Sequence, residues 1–331
     1  MDKRIRYGLP ILTAIGISLL SGCYYAIPTM METVAQSRNL EESEGMALES
    51  QTGALKLFTP SVDNRQINDY IQGYNHIMVG QWSLMPSYYI LTTKTMKSTS
   101  QDVIAYPVIR GLNKGIRFLK RGISYGIDES SELDSAIQQA IVAGEKLLAD
   151  EKNSLPYFRN QVYRRDDMNG AKMVLPVIKA DYDQLIAAMN QIGSLLLQVQ
   201  QSESARLIGI YASHPNHPRY FAERALQTTW YLMDFLNKNQ AYRRPNSYLQ
   251  ADQFVNRLKR ELNQLKTTYT QQGREWTDDR GFGGMHTQLS QLIELYDTLK
   301  QSRRSVVYNR MMRRYSDAVL YYNSVIRLKQ F

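Results

Sequence analysis

Residues 178–199 read IKADYDQLIAAMNQIGSLLLQV. Ile178, Tyr182, Leu185, Met189, Ile192, Leu196 and Val199 follow one another at steps of four and three. That spacing returns a side chain to the same face of an α-helix every turn and gives a coiled-coil-like seam. A helix carrying such a seam needs partners of the same kind, and the chain supplies them on both sides.

Toward the C-terminus, Pro218 follows His217 and suits a first helical position. The helix it opens carries Phe221, Ala225, Leu232 and Leu236 and stops before Pro245. The next carries Val255, Leu258, Leu262, Leu265 and Tyr269. After a turn at 278–284 another carries Leu289, Leu292, Ile293, Tyr296 and Leu299. The last carries Tyr308, Met311, Tyr315, Ala318, Tyr322 and Val325.

Toward the N-terminus, Leu133, Ile137, Ile141 and Leu148 mark a helix after the cap candidates Ser130 and Ser131. Ile67, Tyr70, Ile71, Tyr74, Ile77 and Met78 mark another, with Asp63 or Asn64 as cap and Pro86 as its end. The seam helix itself is expected over 156–200, kinked or broken near Pro176. Strand alternation is confined to a weak trace at 88–92. The expected fold is all-α, an elongated bundle of about six to seven long antiparallel helices.

One segment breaks the pattern. Arg110, Lys114, Arg117, Lys120 and Arg121 alternate with Ile109, Leu112, Ile116, Phe118 and Leu119, among Gly111, Gly115, Gly122 and Gly126. This is a basic amphipathic pattern. It suits a helix packed on the bundle with its charges in water, or a surface facing anionic lipid.

The start of the chain carries an address. Lys3, Arg4 and Arg6 precede an apolar run from Leu9 to Leu20, short for a membrane span and typical of a secretory signal. Leu20-Ser21-Gly22-Cys23 then reads as a lipobox, and Cys23 is the only cysteine in 331 residues. The expected organisation is a signal peptide over 1–22, a lipidated tether over 23–60 with a short helix near 30–37, and a helical domain over 61–331. As a coil the tether has an r.m.s. reach of roughly 30–35 Å. Tyr24, rather than aspartate, follows the cysteine, which favours the periplasmic face of an outer membrane if the host has two membranes. The expected contacts are the membrane through the N-terminal lipid and an envelope protein or cell-wall partner, with no nucleic acid.

With Cys23 lipidated, no thiol remains for disulfides, thiolate catalysis or cysteine-ligated metal. Stability must come from apolar burial. The formal charge of +9 falls to +7 once Asp2, Lys3, Arg4 and Arg6 leave with the signal. A basic exported protein suits anionic neighbours.

Candidate chemistry is sparse. His214 and His217, three apart, are the weak metal candidates, with Glu203 and Glu223 as further ligands if the fold brings them close. His76 and His286 stand alone. Asp166-Asp167 and Asp278-Asp279 are adjacent acids, which on a helix point apart and in a Gly-rich string form a turn. No nucleophile elbow, zinc-protease helix or phosphate loop occurs. The 23 tyrosines read as core filling with hydrogen-bonded hydroxyls, or as an aromatic groove. Arg303, Arg304, Arg310, Arg313 and Arg314 make the last helix basic. No catalytic residue and no cofactor is expected, and the reading is a non-catalytic envelope lipoprotein acting through contacts. The alternative is a small-ligand or metal-binding lipoprotein using the His214/His217 region, and an enzyme ranks third.

Several short motifs occur in a fixed order. Tyr70, Tyr74 and Asn75 come first, then Tyr125-Gly126-Ile127-Asp128-Glu129-Ser130, then Tyr157, Tyr163, Asp166 and Lys172. Gly283-Gly284-Met285 and finally Tyr315, Tyr322 and Asn323 follow. Together with the lipobox they resemble the YiiG-like lipoproteins, a family of exported bacterial helical proteins of unknown function. Leu175 stands where that family tends to have a histidine. The resemblance implies an all-helical exported domain and assigns no catalytic residues. Arg314 to Val319 with Tyr322-Asn323 also resembles the Tyr-Asn helix of LemA-type proteins, over that stretch alone.

Overall fold

The computed structural model describes residues 53–104, 106–128, 131–214 and 216–328. The signal peptide, the lipobox with Cys23, most of the expected tether and Ser130 lie outside the described residues. Within them there are nine α-helices and no strand. They are α1 (Arg65–Met78), α2 (Leu84–Thr93), α3 (Leu112–Ile123), α4 (Glu132–Arg159), α5 (Asn169–Ala212), α6 (Pro218–Asn237), α7 (Tyr248–Gln271), α8 (Gly281–Ser302) and α9 (Ser305–Leu328). None of the described helices is long and apolar enough to cross a membrane.

The seam of α5 packs on α4, and Ile178, Tyr182, Leu185, Met189, Ile192 and Leu196 are all buried. Val199, the seventh member, is 39% exposed, and Gln200 and Ser204 take the inward positions instead. The cause is geometric. A straight helix has 3.6 residues per turn, so a seven-residue repeat drifts about 20° per heptad. Three heptads after Ile178, the seam has rotated past Val199.

More helices form than the six or seven expected, for local reasons. Pro86 does not end a helix. It lies in the first turn of α2, where the backbone N–H it lacks has no helical partner. The weak strand trace at 88–92 is helical, inside that same α2. The helix expected over 156–200 is two helices, because Gln161, Asp167 and Met168 adopt left-handed backbone at the joint. The helix continues through Pro176. Ser131 caps α4 by accepting from the Asp134 N–H at 3.2 Å. Asn64 sits at the α1 cap position but makes no side-chain cap; its amide donates to the Thr59 carbonyl at 2.9 Å.

The buried stripe of α4 is shifted by one residue from Leu133, Ile141 and Leu148, which are only half-buried. It consists of Ala136, Ile137, Ala140, Ala143, Gly144 and Leu147. The basic amphipathic segment becomes α3, packed on α1 with Leu112, Ile116 and Leu119 inward and its lysines and arginines outward. Its glycines make the close approach possible: a Cβ at Gly111 would lie 1.8 Å from the His76 carbonyl oxygen. Helices α8 and α9 form the tightest pair, joined only by Arg303 and Arg304. Arg303 takes the left-handed C-cap conformation that glycine usually fills.

The body begins earlier than residue 61. Ala54, Leu55, Leu57 and Phe58, assigned to the tether from sequence, are buried among the helices. They form an extended strap.

Candidate functional site

The strap, residues 53–59, has no strand beside it, so its backbone groups need partners from side chains. Three asparagines supply most of them. Asn75 of α1 accepts from the Leu55 N–H at 2.8 Å and donates to the Leu55 carbonyl at 2.8 Å. Asn323 of α9 accepts from the Leu57 N–H at 2.7 Å and donates to the Leu55 carbonyl at 3.0 Å. Asn68 of α1 accepts from the Phe58 N–H at 2.7 Å and donates to the Phe58 carbonyl at 3.1 Å. A carboxamide carries one donor end and one acceptor end, like a peptide group. Each asparagine therefore does what a neighbouring strand would do. Ser316 accepts from the Ala54 N–H at 3.1 Å, and Gln200 donates to the Lys56 carbonyl.

Lys56 points from the strap into a polar centre between α5, α6 and α9. Its ammonium pairs with Glu223 Oε2 at 2.6 Å and donates to Ser204 Oγ. Tyr322 donates to Glu223 Oε1. Arg219, one turn before Glu223, donates to Tyr322 Oη at 3.2 Å, to Thr59 Oγ1 at 2.7 Å and to Tyr211 Oη at 3.4 Å. Arg219 and Glu223 are each 1% exposed. Burial alone would push the Glu223 carboxyl up, but Lys56, Tyr322 and Arg219 outweigh it and hold the group below its ordinary value. The Tyr322 hydroxyl is pushed far up, first by burial and then by the Glu223 charge, which keeps it a donor.

A second polar centre lies between α4 and α5. Glu151 accepts from the Tyr182 hydroxyl at 3.1 Å. Burial raises its carboxyl to about 7, and the Tyr182 hydrogen bond only partly opposes this. One turn away, Lys146 joins Asp181 and Asp150. Asp181 is pushed up by burial in spite of that lysine.

The histidines at 214 and 217 do separate jobs. His217 caps α6: its Nδ1 accepts from the Arg219 N–H at 3.2 Å, and its ring stacks on Tyr211 at 4.6 Å. Burial and the Arg219 charge lower its pKa. His214 is exposed, with Nδ1 3.0 Å from Ser213 Oγ. Glu203 pairs with Arg206, and Glu223 is engaged as above. No group of three or more metal-binding side chains occurs among the described residues. Asp166 accepts from the Tyr157 hydroxyl and the Gly170 N–H, and Asp278 accepts from Trp276. His76 stacks on Phe118, and His286 sits edge-on to Trp276.

The motif residues take on physical roles here. Tyr70 donates to Asp134 at 2.6 Å, and Asn75 clamps the strap. Tyr322 donates to Glu223, and Asn323 clamps the strap from the other side. Tyr74, Tyr182, Tyr308 and Tyr315 are buried as well.

One open cleft of about 420 Å³ lies where the strap runs on into α1. Leu57, Phe58 and Ile326 are among its lining residues, with Arg65, Arg121 and Arg327. No protein-family model, curated protein or solved structure matches the chain.

Proposed function

We propose that the chain is a lipid-anchored protein of the bacterial cell envelope whose helical body works by binding rather than by catalysis. The single observation that carries this is Leu20-Ser21-Gly22-Cys23, placed after Lys3, Arg4, Arg6 and the apolar run, with Cys23 the only thiol. A thioether-linked diacylglyceryl group with a further acyl chain gives the two or more chains that stable anchoring takes. Membership of the YiiG-like lipoproteins belongs to the same proposal and rests on the tyrosine–asparagine motifs.

The strap supports the anchoring half of the reading. The thirty residues from Cys23 to Gly53 span at most about 100 Å. Beyond them the chain is gripped from α1, α5 and α9, so tension on the lipid is delivered to three helices. The polar centre at the strap supports the non-catalytic half. Its acid and bases are spent on one another, Glu223 on Lys56 and Tyr322.

Metabolic labelling with an alkyne fatty acid tests the proposal. Wild-type chain takes up label and Cys23→Ser does not. Label in the variant, or none in wild type, overturns it. Density separation of the membranes then tests outer-membrane placement.

A further inference from the structure

The cleft beside the strap is the described site best suited to hold a ligand. Its volume of about 420 Å³ falls in the range of small-molecule sites. Three guanidiniums reach it from three helices: Arg65 from α1, Arg121 from α3 and Arg327 from α9. Among the described residues only one carboxylate lines it, that of Asp69, and Arg121 holds both its oxygens at 2.5 Å. That pair is electrically closed. Arg65 and Arg327 remain, a surplus of two positive charges.

Among the described residues neither of those two has an acid partner. Arg327 Nη2 donates to the neutral Gln72 amide at 3.1 Å. Partial desolvation lowers its pKa, although the residue as a whole is exposed. Arg65 is exposed, and among the described residues no hydrogen bond or ion pair engages its guanidinium. Guanidinium forks match the paired oxygens of a phosphate group. The rest of the lining is mixed: Leu57, Phe58, Pro60, Ile326 and the half-exposed Tyr125 make an apolar part beside the polar Ser61, Asn68 and Gln72. A ligand that fits both halves has a phosphate and an apolar part.

We infer that this cleft binds a phosphoester carrying an apolar group, with Arg65 and Arg327 on the phosphate and Leu57, Phe58 and Tyr125 against the apolar part. Two sources share that chemistry: the headgroup region of an anionic lipid and a soluble organic phosphate. The inference does not depend on lipidation at Cys23, and its test reads a different quantity.

The test is calorimetric titration of the full chain in a non-ionic detergent. The probes are dihexanoyl phosphatidylglycerol, phenyl phosphate and, as a zwitterionic control, dihexanoyl phosphatidylcholine. At least one of the first two binds more tightly than the control, and Arg65→Gln with Arg327→Gln weakens it tenfold or more. Arg110→Gln, whose guanidinium stacks on Trp82 away from the cleft, leaves it unchanged. Binding of the lipid alone assigns the source to a membrane, and binding of phenyl phosphate assigns it to a soluble ester. Circular dichroism melts confirm that the variants fold. Should the double variant not fold, the exposed Arg65→Glu carries the same expectation alone. Absence of binding at millimolar probe, equal binding of the zwitterion, or unchanged affinity in the cleft variants overturns the inference.

Discussion

Glu223 and Glu151 are hidden from water almost equally, at 1% and 6% exposure, yet their carboxyls shift in opposite directions. Glu223 is surrounded by the Lys56 ammonium, the Arg219 guanidinium and the Tyr322 hydroxyl. Glu151 has one hydroxyl, that of Tyr182. Lys146, one turn away on the same helix, is already committed to Asp181 and Asp150. Depth in the fold does not decide the charge state of a buried acid; the inventory of cations beside it does. The centre completed by the strap holds a carboxylate comfortably, whereas the α4–α5 centre is one cation short.

The largest test of that difference removes the cation that the strap supplies. Lys56→Met strands the Glu223 charge with only Arg219 nearby. Breaking one partner of a buried pair costs about 3–5 kcal/mol. Urea denaturation of the variant should show that loss, and pairing Lys56→Met with Glu223→Gln should recover part of it. A single variant as stable as wild type would break the comparison at its first term.

A smaller effect is expected at the other acid, and its sign is opposite. The folded pKa of Glu151 is raised from 4.5 to about 7. Its contribution to stability is therefore fully present below pH 4.5 and is lost as pH rises through 7. A shift of that size corresponds to roughly 3 kcal/mol. Glu151→Gln should flatten this part of the profile, and by pH 8 it should be the more stable protein. Glu223, with its pKa lowered, contributes stability above pH 4.5 and loses it as pH falls through its folded value. Parallel urea titrations at pH 5 and pH 8 compare wild type with Glu151→Gln. An unchanged difference between the two pH values would mean that Glu151 does not titrate in this window.

The smallest effect sharpens the account of Glu223 itself. Tyr322→Phe keeps the ring and removes one donor from the carboxylate. Leaving a buried polar group short of a partner costs about 1–3 kcal/mol. Thermal melts should place this variant between wild type and Lys56→Met. A loss as large as that of Lys56→Met would mean that the hydroxyl, not the ammonium, is what holds the carboxylate.

Much of the frame was legible in advance. Six of the seven seam residues of α5 are buried, as are all six assigned to α9, because large apolar side chains at helical spacing leave few other arrangements. The failures have physical causes. The α4 stripe was misread because Ala136, Ala140, Ala143 and Gly144 carry little apolar weight, although they let a neighbouring helix approach closely. The joint at 160–168 contains no glycine at its left-handed positions, so nothing in its composition announced it. His214 and His217 looked like a pair because spacing is visible in a sequence, and the capping role of His217 is visible only once Arg219 is placed.

The polar centre around Lys56 was the least legible part. Asn75 and Asn323 stand out in the sequence only as companions of tyrosines, and their partners lie 20 and as many as 268 residues away in the chain. A carboxamide announces that it will bond, not to what. The drift that turned Gln200 inward follows from helix geometry. Continuing the seam at 3.6 rather than 3.5 residues per turn points past Val199 to Gln200.

The span between the strap and Asn323 also bears on the order in which the molecule can be finished. Contacts this distant in sequence form late, because a long loop must close before they repay it. A chain that emerges N-terminus first presents Ala54, Leu55, Leu57 and Phe58 long before α9 exists to cover them. Asn68 and Asn75 of α1 can take hold of the strap early, whereas Asn323 and Ser316 can do so only once α9 has formed. The grip on the strap is therefore made in two stages, a local one and a distant one.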